Sequence, residues 1–200
     1  MYIPPQFEQT DSDTSRALIE ANPFGTLVSA GECAPFASHL PFLIEQRGGE
    51  AFLVAHMARA NPHWKLFDGS HEALAIFQGP HGYISPNWYA SPNRVPTWNY
   101  VAVHVTGAPR LLDKARAREV IAALTAKFEA DTPQPWTMDR VAAELIEKML
   151  TAIVAFEMPM AQIEGKWKLG QHMSEADRAG AAAGVAPHEP ALAKLMGEGR

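Results

Sequence analysis

The sequence predicts an α+β fold in which about six antiparallel strands form a barrel and the helices cluster beside it. Short runs rich in β-branched and aromatic residues fill much of the first half of the 200-residue chain, and turn residues separate them. Helical periodicity is confined to segments that follow one another instead of alternating with the strands. This order favours an antiparallel barrel over a parallel doubly wound sheet.

The first half of the chain begins with a short helix that leads into strands. A capping-box pattern at residues 10–13 starts the helix, and Pro23 ends it because the residue before a proline avoids the α region. Apolar runs then predict strands at residues 24–30, 38–44, 51–57 and 73–78. Residues 46–50 join two of these runs closely enough for a hairpin, and residues 61–67 predict one helical turn.

The second half contains a long loop, one strand and two consecutive helices. Residues 83–98 are rich in proline and aromatic residues without a clear period, which is typical of a functional loop. Alternation predicts a strand over residues 99–107, and apolar spacing predicts helices over residues 113–130 and 137–150. The chain then returns to a strand at residues 152–158, and a capping pattern at Ser174 begins another helix. Residues 184–200 are expected to be weakly ordered.

Composition and charge exclude several classes of protein. The chain has 17 Lys and Arg residues against 22 Asp and Glu residues, a formal net charge of −5, which disfavours binding to the phosphate backbone of DNA. Cys33 is the only cysteine, so neither an intrachain disulfide nor a cysteine-based metal cluster can form. No secretory signal pattern and no apolar run of about 20 residues is present, so we expect a cytoplasmic protein without a membrane span.

Polar residues inside the apolar strands are the first chemical signal. His39, His56, Gln78 and His104 each lie in or at the end of a strand-like run. A buried polar group without a partner costs about 1–3 kcal/mol. Each of these side chains therefore either bonds a neighbouring backbone group or converges with the others on one polar ligand, and the sequence leaves both alternatives open.

The common catalytic and phosphate-binding motifs are absent from the sequence. No His-Glu-x-x-His, Gly-x-Ser-x-Gly or glycine-rich phosphate loop occurs, so we expect no metal, and the sequence identifies no catalytic residue. A bound phosphate would have to be held by side chains and scattered amides. Arg59 and Asn61 follow a strand and precede a helical turn, and Lys166, Lys168 and Gln171 surround Trp167.

Several longer strings occur together in one order. They are Ser-His-Leu-Pro at residues 38–41, Asn-Pro-His-Trp at 61–64, Phe-Gln-Gly-Pro-His at 77–81, Val-Pro-Thr-Trp-Asn-Tyr at 95–100 and Lys-Leu-Gly-Gln at 168–171. With Met-Tyr-Ile-Pro at residues 1–4 and Asn-Pro-Phe-Gly-Thr at 22–26, this pattern resembles the PaiB-like, FMN-binding negative transcriptional regulators. The resemblance extends from residue 1 to about residue 172.

The resemblance implies a fold and an assembly. The fold would be a six-stranded antiparallel split β-barrel over residues 1–172, with the helices of residues 113–150 inserted and residues 173–200 forming a C-terminal helical tail. Two chains would form a homodimer that holds FMN in a groove at the subunit interface.

The resemblance also implies which residues bind the cofactor. Those expected to bind FMN are Ser38, His39, Leu40, Pro41, His56, Met57, Arg59, Asn61, Lys168 and Gln171. The cations would hold the phosphate, and the imidazole and amide groups would bond the ring edges. Trp98 would either cover the ring or pack in the dimer core. The chain departs from the family's usual Lys-Leu-Ser-Gln-Asn at Gly170 and His172.

The function implied is that of a flavin-linked or redox-linked regulator without a dedicated DNA-binding motif. The best basic cluster lies on the helix of residues 113–130, where acidic residues interrupt it, so direct binding of nucleic acid is not expected. Two alternatives remain open. The protein could be an FMN-dependent oxidoreductase or flavin reductase that uses NADH or NADPH, or a split barrel that handles haem. In the haem alternative the axial ligand would be one of His39, His56, His81 or His104.

Overall fold

The computed structural model describes residues 1–198 and confirms the predicted α+β class. Its strands are β1 (Glu8–Gln9), β2 (Phe24–Ser29), β3 (Phe36–Pro41), β4 (Leu43–Arg47), β5 (Glu50–Ala58), β6 (Ala73–Ile84), β7 (Thr97–Gly107), β8 (Arg110–Leu111), β9 (Ile153–Pro159) and β10 (Gln162–Lys168). Its helices are α1 (Ser12–Ala21), α2 (Lys114–Glu129), α3 (Ala143–Thr151), α4 (Glu175–Val185) and α5 (Pro190–Gly197). None of these helices is long and apolar enough to cross a membrane.

The strands form two sheets. The first has six strands in the order β1-β10-β7-β6-β2-β3, and the second has four in the order β4-β5-β9-β8. The pairs β1–β10, β2–β3 and β2–β6 in the first sheet are antiparallel, as are β4–β5, β5–β9 and β8–β9 in the second. A six-stranded sheet is therefore present as predicted, together with a second sheet that the strand count did not anticipate.

The chain divides into two compact units. The terminal unit contains Met1–Asn22, Phe77–His104 and the chain from Ile163 onward, and the central unit contains Pro23–Ile76 and Val105–Gln162. Residues 199 and 200 of the predicted helical tail lie outside the described residues.

The core of the central unit lies where α2 meets the second sheet. Leu43, Phe52 and Val54 of the sheet pack against Val120 and Leu124 of the helix, and all five side chains are buried. Burial of these apolar side chains is the main contribution to stability here, at about 25 cal/mol per Å² of apolar surface removed from water. Val120 and Leu124 of the apolar stripe of α2 are thus buried, whereas Phe128, which has the same spacing, is 45 % exposed.

A buried carboxylate joins three strands of the second sheet. Glu157 of β9 is only 2 % exposed and forms ion pairs with Arg47 of β4 and Arg110 of β8. Burial raises the pKa of Glu157, but the hydrogen bonds and charges of Arg110 and Arg47 outweigh that effect and leave the pKa below its ordinary value. The carboxylate is therefore kept ionised, and its two partners satisfy it.

Four local predictions are wrong. The cap of α1 is Asp11, which accepts from the N–H groups of Asp13 and Thr14, and not a capping box at residues 10–13. The predicted strand at residues 38–44 is two strands, because proline 41 has no N–H to continue the ladder and the N–H of Phe42 bonds the carbonyl of Pro23 instead.

The other two errors concern helices. The segment predicted as one helix over residues 137–150 is a 3₁₀ turn, Met138–Arg140, followed by α3. The segment from residue 184 is not weakly ordered through its length, because α5 forms there with Pro190 in its first turn, where the missing N–H costs nothing. Between Pro190 and Gly197 every residue of α5 is a good helix former (Ala, Leu, Lys or Met), and burial of Leu192 and Met196 adds to that propensity.

Helix α4 contacts the 3₁₀ turn Pro86–Trp88 through two glycines. A β-carbon at Gly180 would collide with the carbonyl of Trp88, and one at Gly184 would collide with the indole ring of the same residue. The helix can approach this closely only because those two positions lack side chains. Trp88 is thus fixed against the backbone of α4.

We predict that Gly184→Ala lowers the free energy of unfolding by about 1–2 kcal/mol. The overpacking against Trp88 costs about 1–3 kcal/mol and exceeds the gain of up to about 1 kcal/mol that alanine brings to a helix. Urea denaturation followed by circular dichroism measures the change. Gly197→Ala is the matched control, because a β-carbon there meets nothing within 4 Å and should leave stability equal or raised. Equal effects of the two substitutions would contradict the close contact.

Candidate functional site

The residues predicted to bind the cofactor are divided between the two units. Three belong to the terminal unit, Trp98, Lys168 and Gln171. The central unit contains the other eight, which are Ser38, His39, Leu40, Pro41, His56, Met57, Arg59 and Asn61.

In the central unit, Ser38 and Asn61 are brought together by a buried hydrogen-bond network. The hydroxyl of Ser38 accepts from Nδ2 of Asn61 at 2.9 Å and bonds Nδ1 of His63 at 2.9 Å. The other ring nitrogen of His63 bonds Oγ of Ser29 at 2.9 Å. Burial lowers the pKa of His63, which favours the neutral imidazole with one donor and one acceptor nitrogen.

Ser29 and His63 were missed as residues that position this network. His63 lies inside the Asn-Pro-His-Trp string, so the sequence did contain a signal for it. Asn61 also caps the 3₁₀ turn Pro62–Leu66 by accepting from the N–H of His63. The turn after β5 is therefore fastened to β2 and β3 of the same unit.

Strand β3 points its predicted residues in two directions. Ser38 and Leu40 are buried, whereas His39 is exposed, as the period of two in a strand requires. The His39 ring is hydrogen-bonded to Thr26 Oγ1 at 3.0 Å and stacks on Phe24 with 6.4 Å between the ring centroids. Of the residues on this strand, His39 presents its polar ring to the surface.

His56 on β5 has a buried nitrogen without a hydrogen-bond partner among the described residues. The atom is Nδ1, and burial lowers the pKa of the ring. The side chain lines a cavity of about 270 Å³ with apolar neighbours that include Trp136, Ile146 and Met149. The neighbouring Met57 is buried in the core. A ligand or partner atom that bonded Nδ1 would remove an unfavourable orphan.

Arg59 directly follows β5, and neutral groups hold its charge. Its guanidinium donates to the carbonyls of Thr151 at 2.7 Å and Ile153 at 2.8 Å, and no carboxylate of residues 1–198 forms an ion pair with it. The Trp64 indole donates to the Arg59 carbonyl at 3.0 Å, and both side chains line a cleft of about 330 Å³.

In the terminal unit, a second cleft is lined by Arg94, which pairs with Asp177, and by Lys168. The Nζ of Lys168 donates to Thr97 Oγ1 at 2.5 Å and to the carbonyl of Trp98 at 2.7 Å. Burial lowers the pKa of the Lys168 ammonium. The charge of Lys166 lowers this pKa further, and Tyr100 raises it. Within the described part of the chain no carboxylate pairs with Lys168. The cleft measures about 380 Å³.

The remaining terminal-unit residues shape the turn beside Lys168. Gln171 accepts from the N–H of Leu169 at 2.9 Å and donates to the carbonyl of Trp167 at 2.6 Å, so its amide closes a turn. Gly170 sits in that turn at a φ of +87°, the left-handed region that favours glycine. His172 packs its ring edge on Phe7, with 5.5 Å between the ring centroids.

Each unit, taken by itself, contains a cation that could hold an anionic group such as a phosphate. Lys168 and Arg59 are cations that only neutral oxygens satisfy, so each can accept an anionic oxygen without displacing a carboxylate. His56 offers a ring nitrogen that lacks a partner within residues 1–198. No cluster of three His, Cys, Asp or Glu side chains suited to a metal is present among those residues.

Comparisons with known proteins agree with this chemistry. The family described as "Putative FMN-binding domain" matches residues 1–162. The chain is 34 % identical over 198 residues to the protease synthase and sporulation protein PAI 2 of Bacillus subtilis, which covers 99 % of this chain and 95 % of that protein. It is 33 % identical over 162 residues to an uncharacterized protein of Saccharomyces cerevisiae, which covers 67 % of this chain and 94 % of that protein.

Two solved structures share the fold. The flavocytochrome Anf3 of Azotobacter vinelandii superposes with a TM-score of 0.63 at 19 % identity, covering 82 % of this chain and 70 % of that chain. The FAD and heme binding protein of Mycobacterium smegmatis superposes with a TM-score of 0.61 at 18 % identity, covering 88 % and 80 %. The predicted split-barrel architecture is confirmed by this likeness.

We predict that stability falls as the pH decreases through about 6.5, the ordinary pKa of histidine. Because the pKa of His63 is lowered in the folded protein, the unfolded chain binds a proton that the folded chain does not. The loss begins near the unfolded pKa and continues down to the folded one. Replacing His63 by Asn should flatten the dependence by up to about 1.4 kcal/mol per pH unit.

Urea titrations between pH 5 and pH 8 measure the dependence for the wild type and the variant. His188→Asn, which removes an exposed histidine instead of a buried one, is the matched control. An unchanged slope in His63→Asn would show that the buried imidazole carries no such linkage.

Proposed function

The chain belongs to the FMN-binding domain family, and from that premise we propose that it is a PaiB-like regulator whose output follows the state of its flavin. FMN, when bound, supplies one-electron and two-electron redox chemistry, whereas the protein supplies binding and electrostatics. The name of the Bacillus subtilis relative, a protease synthase and sporulation protein, supports a regulatory role.

The observation that supports FMN binding most directly is the state of Lys168. Its ammonium lies in a cleft, is partly buried and is satisfied only by a hydroxyl and a carbonyl. A cation in that position gains from an anionic partner, and a phosphate dianion provides one in a charge-assisted hydrogen bond. We therefore assign Lys168 to the FMN phosphate.

The other predicted residues are proposed as contacts within their own units. In the central unit, Arg59 is the second cation that a phosphate could engage, and His39 and His56 offer ring nitrogens to the flavin edges. Leu40, Pro41 and Met57 would add apolar surface, while Ser38 and Asn61 hold the turn that carries Arg59. In the terminal unit, Gln171 sets the turn and Trp98 would cover the ring.

Direct binding to DNA is disfavoured, because carboxylates already pair with three of the four cations of α2. Arg116 pairs with Glu45 and Glu119, and Lys114 and Arg118 both pair with Glu147. Cations that carboxylates satisfy release few counterions from a nucleic acid. Regulation through a protein partner or through the flavin itself is therefore favoured.

The assembly and location are proposed as well. We propose a homodimer with FMN at the subunit interface, residues 1–172 forming the flavin domain with the helices of residues 113–150 inserted, and residues 173–200 forming a helical tail. An exposed free cysteine, Cys33, supports a reducing compartment and hence a cytoplasmic location.

We predict that Lys168→Ala weakens FMN binding about 10- to 100-fold. The substitution removes a charge-assisted contact worth about 1.5–3 kcal/mol, which corresponds to that change in Kd. Titrating FMN with the purified protein while the flavin fluorescence is followed measures the Kd. Lys127→Ala, an exposed lysine on α2, is the matched control and should leave the Kd unchanged. If Lys168→Ala binds as tightly as the wild type, the phosphate assignment is wrong.

We predict that the purified protein is yellow or takes up FMN, and that its molar mass in solution is twice the 21.9 kDa of one chain. Absorption spectra and light scattering measure the two properties. A colourless protein that does not bind added FMN would refute the flavin function, and a monomer would refute the shared interface. Steady oxidation of NADH or NADPH in air would instead favour the oxidoreductase.

A further inference from the structure

The terminal unit contains a cleft lined by aromatic side chains. Of the residues proposed to contact FMN, only Trp98 lines it. The cleft measures about 440 Å³. Three aromatic side chains line it, from Tyr83 at the end of β6, Trp88 in the 3₁₀ turn and Trp98 near the start of β7, together with His81, His188 and Glu189. We call these residues the aromatic cleft.

The three rings are held in fixed positions but remain open to solvent. Trp88 packs against the backbone of α4 at Gly184, which fixes its plane. Tyr83 and Trp98 contact each other edge to face, with 6.2 Å between their centroids and 71° between their planes. Nevertheless Tyr83 is 46 % exposed and Trp98 is 55 % exposed. Large aromatic surfaces left open in a concave site indicate a ligand.

The charge of the cleft decides which ligand fits. The face of each aromatic ring carries negative potential, and a cation that approaches it is attracted. Glu189 adds a carboxylate at the same cleft, and among residues 1–198 it forms neither an ion pair nor a side-chain hydrogen bond. No lysine or arginine lines the cleft. The site therefore combines several sources of negative potential with no cation of its own.

The histidines of the cleft add no positive charge to it when their rings are neutral. His81 donates through Nδ1 to the carbonyl of Gly79 at 3.1 Å, which fixes the tautomer of a neutral ring with Nε2 as the acceptor. His188 follows α4 and is exposed. Protonation of either ring would repel a cation, so binding should be measured under mildly alkaline conditions.

We propose that the aromatic cleft binds a small organic cation that carries a quaternary or tertiary ammonium group. The rings of Tyr83, Trp88 and Trp98 contact the alkyl groups of the cation, and the carboxylate of Glu189 attracts its positive charge. An ammonium with alkyl substituents suits this site better than a strongly hydrated one, because its desolvation costs less. The proposal does not depend on FMN, although Trp98 belongs to both proposed sites.

Choline is the probe, and its neutral isostere 3,3-dimethyl-1-butanol separates charge from shape. The two molecules have the same outline, so an apolar cleft would bind them equally. We expect choline to bind with a Kd of about 1 mM and the isostere to bind at least roughly tenfold more weakly. Chemical shifts of the indole N–H groups of the full chain report binding, with Trp98→Phe used to assign its resonance.

Substitutions test the two contributions. Glu189→Gln and Trp98→Leu should each weaken choline binding roughly tenfold, whereas Trp98→Phe keeps an aromatic face and should weaken it only about threefold. Glu20→Gln, an exposed carboxylate on α1 outside the cleft, is the matched control and should have no effect. Circular dichroism confirms that each variant is folded.

The titration is repeated with FMN added in excess, so that the two proposals fail separately. Choline binding in a protein that does not bind FMN would support the cleft and refute only the flavin site. Equal affinity for choline and the isostere, absence of choline binding at 20-fold above the expected Kd, or full binding by Glu189→Gln would each overturn the cation site.

Discussion

The interaction on which the proposed function depends is the bonding of the Lys168 ammonium to two neutral oxygens. Removing a cation from water is unfavourable, and the lowered pKa of Lys168 expresses that cost. The hydroxyl of Thr97 and the carbonyl of Trp98 offset it in part, and they orient Nζ without neutralising it. A carboxylate in their place would have made this a structural ion pair. The positive charge is therefore left available to an anionic ligand.

Three arginines of the chain are held differently, because each of them pairs with a carboxylate. Arg47 and Arg110 share Glu157, and Arg94 pairs with Asp177 at 2.6 Å. The Ser91 N–H, and then the Arg94 and Ser174 side chains, lower the pKa of Asp177 to about 2, against an opposing effect of burial. That carboxylate holds the loop of residues 89–94 to α4. These arginines are thus paired with acids, whereas Arg59 and Lys168 are not. Buried Lys166 also lacks an acid partner among residues 1–198 and donates to the carbonyl of Tyr2.

Features that neighbouring residues determine could be predicted from the sequence. Features that depend on residues far apart in the chain could not. The alternation of β7 and the apolar spacing of α2 are local patterns, and the bounds of both elements were predicted to within two residues. The contact between His63 and Ser29 joins residues 34 positions apart, and no local pattern encodes it. Helix α5 was missed because the glycines and prolines of residues 184–200 were given more weight than the good helix formers between Pro190 and Gly197. The family strings identified Gln171, but only the structure shows that its amide closes a turn.

One of the two departures from the family's usual late segment, Gly170, follows from the same turn. Gly170 has a φ of +87°, and a β-carbon there would meet only ordinary contacts, with Met173 at 3.7 Å and Asn99 at 3.8 Å. A serine would therefore fit in space but would be strained in its backbone, at a cost of order 1–3 kcal/mol. Glycine relieves that strain two residues after Lys168, and the Gln171 amide supplies the hydrogen bonds of the turn. The loss of the hydroxyl thus favours the backbone geometry that positions the cation.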